Sequence, residues 1–271
     1  MMKDSDGVVA RSSVNFQLFT AVKYIVYILL SFNVYLFLQE ELGALEHTFV
    51  DGFKPSQIIQ VFSATIDTAA WVILLLLFEL ETSVLDDRRI RGMVKLSLHW
   101  IRILCYVAVF YAFTGYFAEL VMLYDVTALS SFDACANLEQ GWSMQVDIDE
   151  YVPVDASNCG GLASELFQLT GFQIVSEPNV LQAARWLAWT DVINSAAWLL
   201  VVIMLEVEVR LQLRGNLSEQ IMAATKWIKL ALYGTLFLAA GYWGIAGDFL
   251  DFWDAALWLF AFIFIELNVF E

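Results

Sequence analysis

The chain has 271 residues, of which 60% are hydrophobic, 15% aromatic and only 16% charged, with a mean hydropathy of +0.66. That is too much apolar surface to be coated with water, so composition points to a membrane protein. Thirty acids against 14 Lys and Arg give a formal charge of −16 and leave no basic stripe long enough to follow a phosphate backbone, which excludes nucleic-acid binding.

Residues 1–15 form a short segment expected in the cytoplasm. Six apolar runs follow, near 16–38, 58–80, 98–122, 184–206, 220–243 and 248–268. Each holds about 20 residues, enough to cross ~30 Å of hydrocarbon as a helix. They lack the alternation of barrel strands and cannot leave bare backbone groups in lipid, so helices are expected. The predicted fold is an all-α integral membrane protein with one six-helix transmembrane bundle over 16–271. Pro55, Pro153 and Pro178 all fall between the runs, which counts against spanning helices unwound at a proline.

The first run is longer than the apolar core of a secretory signal and no small-residue cleavage site follows it, so it is expected to stay as an anchor. Of the 14 Lys and Arg, only Lys54 and Arg185 fall on one side of the predicted topology. The other twelve cluster at the opposite ends of the runs, among them Lys23, Arg88, Arg89, Arg102, Arg210 and Lys229. By the positive-inside rule both termini are cytoplasmic, and a bacterial inner membrane is the expected location. The outer side then holds a loop over 124–183 with nine acids and no Lys or Arg, expected to be solvated and electronegative. Cys135 and Cys159 lie in it, on the side where a disulfide is permitted, whereas Cys105 falls inside the third run and is expected to be an inert buried thiol.

A weak internal repeat runs through the chain. DTAAWVILLLLFELE (67–81) aligns with NSAAWLLVVIMLEVE (194–208) at a shift of 127, and the same shift carries HWIRILCY (99–106) onto KWIKLALY (226–233). DAALWLFAFIFIELN (254–268) extends the pattern, and Lys23/Tyr27, Arg102/Tyr106 and Lys229/Tyr233 repeat a cation four residues before a tyrosine. The bundle therefore reads as three helical hairpins, each returning on a helix with an acid or amide, then Trp, then Glu. At 100° per residue Asp67, Trp71 and Glu81 share one stripe, as do Asn194, Trp198 and Glu208. With ~1.5 Å rise per residue the Trp lies about 12 Å, and the Asp or Asn about 18 Å, inside the boundary marked by Glu79, Glu206 and Glu266.

Two sets of polar residues stand out. At the cytoplasmic boundary Lys23, Arg102 and Lys229 are expected to pair with Glu79, Glu206 and Glu266 on neighbouring helices, with Glu81 and Glu208 left over as a cation-attracting mouth. Deeper in, Asp67, Asp191, Asn194, Asp254 and Glu119 are candidates for an ion pathway or coupling site, because an ionised carboxylate in the bilayer costs at least ~2.5–3.5 kcal/mol unless it meets a partner, water or a cation. Trp71, Trp198 and Trp258 read first as packing, and Gly234, Gly241 and Gly244 as a surface for close helix contact.

The only histidines, His47 and His99, fall on opposite sides, and no P-loop, HExxH, nucleophile elbow or CxxC occurs, so neither a cofactor nor an enzyme activity is expected. The expected function is a cation channel or cation-coupled transporter for protons or metal ions. The alternative is a non-transporting assembly subunit that docks partner helices, lipid or pigment. Expected partners are membrane lipids, cations and further copies of the chain or a larger membrane complex.

Overall fold

The computed structural model describes residues 5–48, 54–85, 91–130, 132–213 and 218–269. Among them five helices are long and apolar enough to cross a membrane: Phe19–Thr48, Ser63–Val84, Met93–Tyr124, Pro178–Glu208 and Gln220–Ala246. The chain is an integral membrane protein, largely helical.

Helix α1 (Ser5–Thr48) runs 44 residues, and at ~1.5 Å per residue it is about 66 Å long. A one-turn α2 (Ile58–Val61) leads into α3 (Ser63–Glu79), which continues as a wider π turn over Leu80–Val84. Then come α4 (Met93–Tyr124), α5 (Pro178–Leu213), α6 (Glu219–Ala246) and α7 (Phe249–Val269). Pro178 opens α5, where its missing N–H costs nothing. The break between α6 and α7 is written in Gly247-Asp248. Gly247 takes φ +102° to end α6, and the Asp248 carboxylate accepts from the Asp251 N–H at 3.2 Å to start α7.

The helices pack in sequence order, with α1 against α3 and α7, α3 against α4, α4 against α5, and α5 against α6. The core at one end gathers Tyr27, Leu30, Leu75, Trp198, Val201, Leu236 and Trp258, and that at the other gathers Leu120, Leu181, Leu187, Ala240 and Trp243. Helices α4 and α6 are the least buried, and α6 turns Trp227, Leu230, Leu238 and Ile245 outward. The expected small-residue contact on α6 does not form, since a Cβ on Gly234 or Gly241 would meet nothing within 4 Å and one on Gly244 would meet only the Phe252 ring. The tight approach is on α4 instead. A Cβ on Gly115 would lie 2.5 Å from the Ile59 carbonyl oxygen, so this glycine is what lets α4 lie against α2.

The expectation of an all-α chain with a solvated outer loop needs correction. Within 124–183 lies a five-stranded sheet: β1 (Val126–Leu129), β2 (Ser143–Gln145), β3 (Tyr151–Pro153), β4 (Leu166–Leu169) and β5 (Ile174–Ser176), in the order β1-β4-β5-β2-β3. All pairs are antiparallel except β2 with β5. Cys135 and Cys159 are disulfide-bonded, joining two 3-10 turns over a small core of Ala134, Val154 and Val175. Cys105 is free and buried. The sheet is anchored on the bundle by Leu169, Ile174, Ile148 and Tyr151, which bury against α4 and α5, and by His47 of α1, whose Nδ1 is 2.9 Å from the Ser143 hydroxyl.

Candidate functional site

At the sheet end of the bundle the helices line a partly open cavity. Its floor is aromatic. Trp71 of α3 stands 6.1 Å from Trp198 of α5 and 6.3 Å from Trp258 of α7, ring centre to ring centre, and Phe262 lies 4.6 Å from Trp198. The three tryptophans of the sequence pattern thus meet at one level.

Above that floor come the acids. Asp67 and Asp254 line the cavity one helical turn outward of Trp71 and Trp258, and each interacts with the tryptophan that follows it by four residues. This answers what the spacing is for: on a helix it stacks carboxylate over indole. Asn194 holds the equivalent place above Trp198. Asp191 and Asp251 line the cavity a turn further out, three residues before Asn194 and Asp254. Glu119 of α4 reaches it near the mouth. All five residues singled out as a pathway, Asp67, Asp191, Asn194, Asp254 and Glu119, therefore face one space.

Sequence reasoning missed three further acids there: Glu40 and Glu41 of α1, and Asp149 from the β2–β3 connection. The first two lie beyond the point where hydropathy ends the first run. Asp149 comes from the segment expected to be a free loop. Together with Asp251, the lining holds eight carboxyl groups and, among the described residues, no Lys, Arg or His.

Their hydrogen bonds differ in kind. Glu41 is satisfied by structure: it accepts from the backbone N–H of Ala64 at 2.7 Å and of Thr65 at 3.3 Å, and from the Thr65 hydroxyl. A carboxylate from α1 thereby caps the N-terminus of α3, where the helix dipole favours negative charge. Asp254 accepts from the Asn33 amide at 2.7 Å, and Asp191 from the Trp243 indole at 3.1 Å. Asp67 accepts from the Tyr116 hydroxyl at 3.4 Å and interacts with the Trp71 indole, while its Oδ1 is buried with no donor. Asn194 Oδ1 is likewise buried and unpartnered.

At the mouth the Asp149 and Glu119 carboxyl groups face each other and interact. Burial pushes the Asp149 carboxyl up to about 6, the nearby Asp248 and Asp147 push the same way, and the Glu119 hydrogen bond acts against them. Asp147 is raised too, mainly by burial.

The boundary set lies at the opposite end and does not touch the cavity. Lys23 bonds Glu79 at 2.7 Å, deeply buried, with the Tyr24 and Tyr27 hydroxyls donating to the same carboxylate at 3.1 and 3.5 Å. The other expected partners need correction. Arg102 pairs with Glu81, and Lys229 pairs with Glu208 at 2.7 Å, while Glu206 is taken by Arg210 one turn along its own helix at 2.8 Å. In both corrected pairs the cation is 21 residues after its acid, across the connection from the preceding helix. Glu81 and Glu208 are thus engaged and do not form an unpaired mouth. The Glu266 side chain lies outside the described residues, as do Arg88 and Arg89.

Comparison of the chain with protein families, curated proteins and solved structures gives no match in any of the three.

Proposed function

We propose that the protein binds cations within the membrane and moves them across it, as a cation-coupled transporter or cation channel. The observation that carries this reading is the cavity faced by eight carboxyl groups with no cationic side chain among its described lining residues. At an effective dielectric constant near 20, two unit charges ~6 Å apart repel by about 3 kcal/mol, so several ionised acids cannot share the space unless protons or captured cations offset them. Most of these acids are half-buried rather than sealed, as expected of groups facing water inside a protein.

In the topology we propose, α7 completes six crossings, both termini are cytoplasmic, and three hairpins (α1 with α3, α4 with α5, α6 with α7) surround the site. The excess of Lys and Arg at one end, the disulfide in the sheet at the other, and the meeting of Trp71, Trp198 and Trp258 support it. The cavity opens toward the sheet, and the tryptophan floor and the Lys23–Glu79 pair lie between it and the far side. This favours a gated site over a continuous pore. Among the described residues no three acids, His or Cys converge to hold a bare metal ion, which favours protons or a cation that keeps its own donors or hydration.

Proteoliposomes test the proposal. Cation or proton flux should be measurable in the parent and lost in Asp67→Asn, Asp191→Asn; equal flux in both, or none in the parent, rejects it. The scaffold reading draws on the apolar outward face of α6, and a reproducible mixed complex after gentle solubilisation would favour it.

A further inference from the structure

We propose that the occupant of the cavity is an organic cation with at least two protonated amines, a linear di- or polyamine; this rests on the cation-handling reading above. Three observations point there. First, Asp67 Oδ1 and Asn194 Oδ1 are both buried and lack donors, although they sit at equivalent places above adjoining tryptophans. A buried acceptor without a donor costs about 1–3 kcal/mol, so a ligand that brings N–H groups is favoured there. Second, the floor of Trp71, Trp198, Trp258 and Phe262 offers ring faces. These attract an ammonium group and also bury methylenes, whereas a hydrated metal ion gains nothing from the apolar part. The same residues supply no cluster of three ligands for a metal.

Third, the acids are distributed along the cavity rather than gathered at one point. Asp67 and Asp254 form an inner level, Asp191 and Asp251 stand three residues outward, and Glu119 with Asp149 lies at the mouth. One helical turn separates the first two levels, about 5 Å, which is of the order of the spacing between amines joined by three or four methylenes. An elongated polycation would meet one carboxylate level with each nitrogen and lay its chain over the indoles. Asn33, fully buried and donating to Asp254, holds that carboxylate toward the cavity as a positioning residue.

The test uses the full chain in lipid nanodiscs, titrated with spermidine and, separately, with sodium and calcium chloride, read by calorimetry and by tryptophan fluorescence. Saturable spermidine binding that changes the tryptophan emission is expected. Asp67→Asn and Trp258→Leu should each weaken it about tenfold or more, and Arg102→Gln, at the far end, should leave it unchanged. If Asp67→Asn does not fold, Asp254→Asn replaces it. Absence of spermidine binding, or binding with no tryptophan signal, combined with sodium, calcium or proton transport that still depends on Asp67, overturns the amine assignment and leaves cation handling standing. If no cation binds or crosses, both readings fail.

Discussion

Replacing Lys23 by Met should be among the most damaging single changes at the end of the bundle away from the cavity. Lys23 and Glu79 are only 8% and 6% exposed at their side chains and 2.7 Å apart. Removing the cation leaves a buried carboxylate held by neutral hydroxyls, those of Tyr24 and Tyr27 among them. Breaking a buried pair from one side costs about 3–5 kcal/mol, because the remaining charge is desolvated without a partner. For a chain of this size ~1 kcal/mol moves a melting temperature by about 2–4 °C, so a fall of roughly 6 °C or more is expected. The second change, Glu79→Gln, should restore more than half of the loss when added to Lys23→Met, since the amide carries no charge and still accepts from the tyrosines. Arg102→Met serves as the comparison. Its pair with Glu81 is 35% and 25% exposed, and its loss should cost about 0–1 kcal/mol. Thermal unfolding in one detergent reads all four proteins. If Lys23→Met melts with the parent, or the double variant is no better than the single, the buried pair is not what stabilises this end.

Other outcomes follow from the sheet and the helix contacts. Asp149 has its folded value raised to about 6 from an ordinary 3.8, so its contribution favours folding fully below 3.8 and is lost as pH rises through 6. Protection against hydrogen exchange over 143–153, corrected for the intrinsic pH dependence of exchange, should therefore rise between pH 7.5 and 5 by an amount worth at most about 1.4 kcal/mol, and Asp149→Asn should flatten the dependence. Opening the Cys135–Cys159 bridge with Cys159→Ser releases a closed loop set by a separation of 24 residues, worth about 3 kcal/mol in chain entropy, and should speed exchange in the sheet while the helices keep their protection. Gly115→Ala should destabilise by about 1–3 kcal/mol because the Ile59 backbone is in the way, whereas Gly234→Ala should be neutral or stabilising; equal effects in a paired melt would refute the close approach of α4 to α2.

Hydropathy alone makes the spanning helices readable, because ~20 apolar residues have few other uses. That an acid or amide lies over each tryptophan was also readable, since a spacing of four on a helix fixes which side chains lie over which, whereas the meeting of the three tryptophans comes from the packing of α3, α5 and α7. What escaped has physical reasons. The strands hold only three or four residues each, too few for alternation to register, and their burial depends on α4 and α5 beneath them. Glu40 and Glu41 looked like the polar end of a finished helix. They belong to its last turns, which run on past the apolar run to Thr48 and carry Glu41 to the N-terminus of α3. Asp149 became part of the cavity only through the folding back of the sheet.

Charge is divided between the two ends of the bundle in a way that the net value of −16 conceals. Among the described residues all four ion pairs, Lys23–Glu79, Arg102–Glu81, Arg210–Glu206 and Lys229–Glu208, lie away from the cavity. At the sheet end Arg185 is turned aside, donating to the Leu123 carbonyl at 2.9 Å and lying 4.5 Å over the Tyr124 ring. Its charge is thereby spent on α4 backbone and an aromatic face rather than on the acids. Field lines from unmatched carboxylates are concentrated in a cavity with low-dielectric walls, so the sheet end draws cations in while the paired end offers them no equivalent attraction. On the proposed reading, a cation entering there would descend through levels of acid to the indole floor. On that proposal, passage beyond would require Trp71, Trp198 and Trp258 to separate, and their contact would be the element whose opening limits transport.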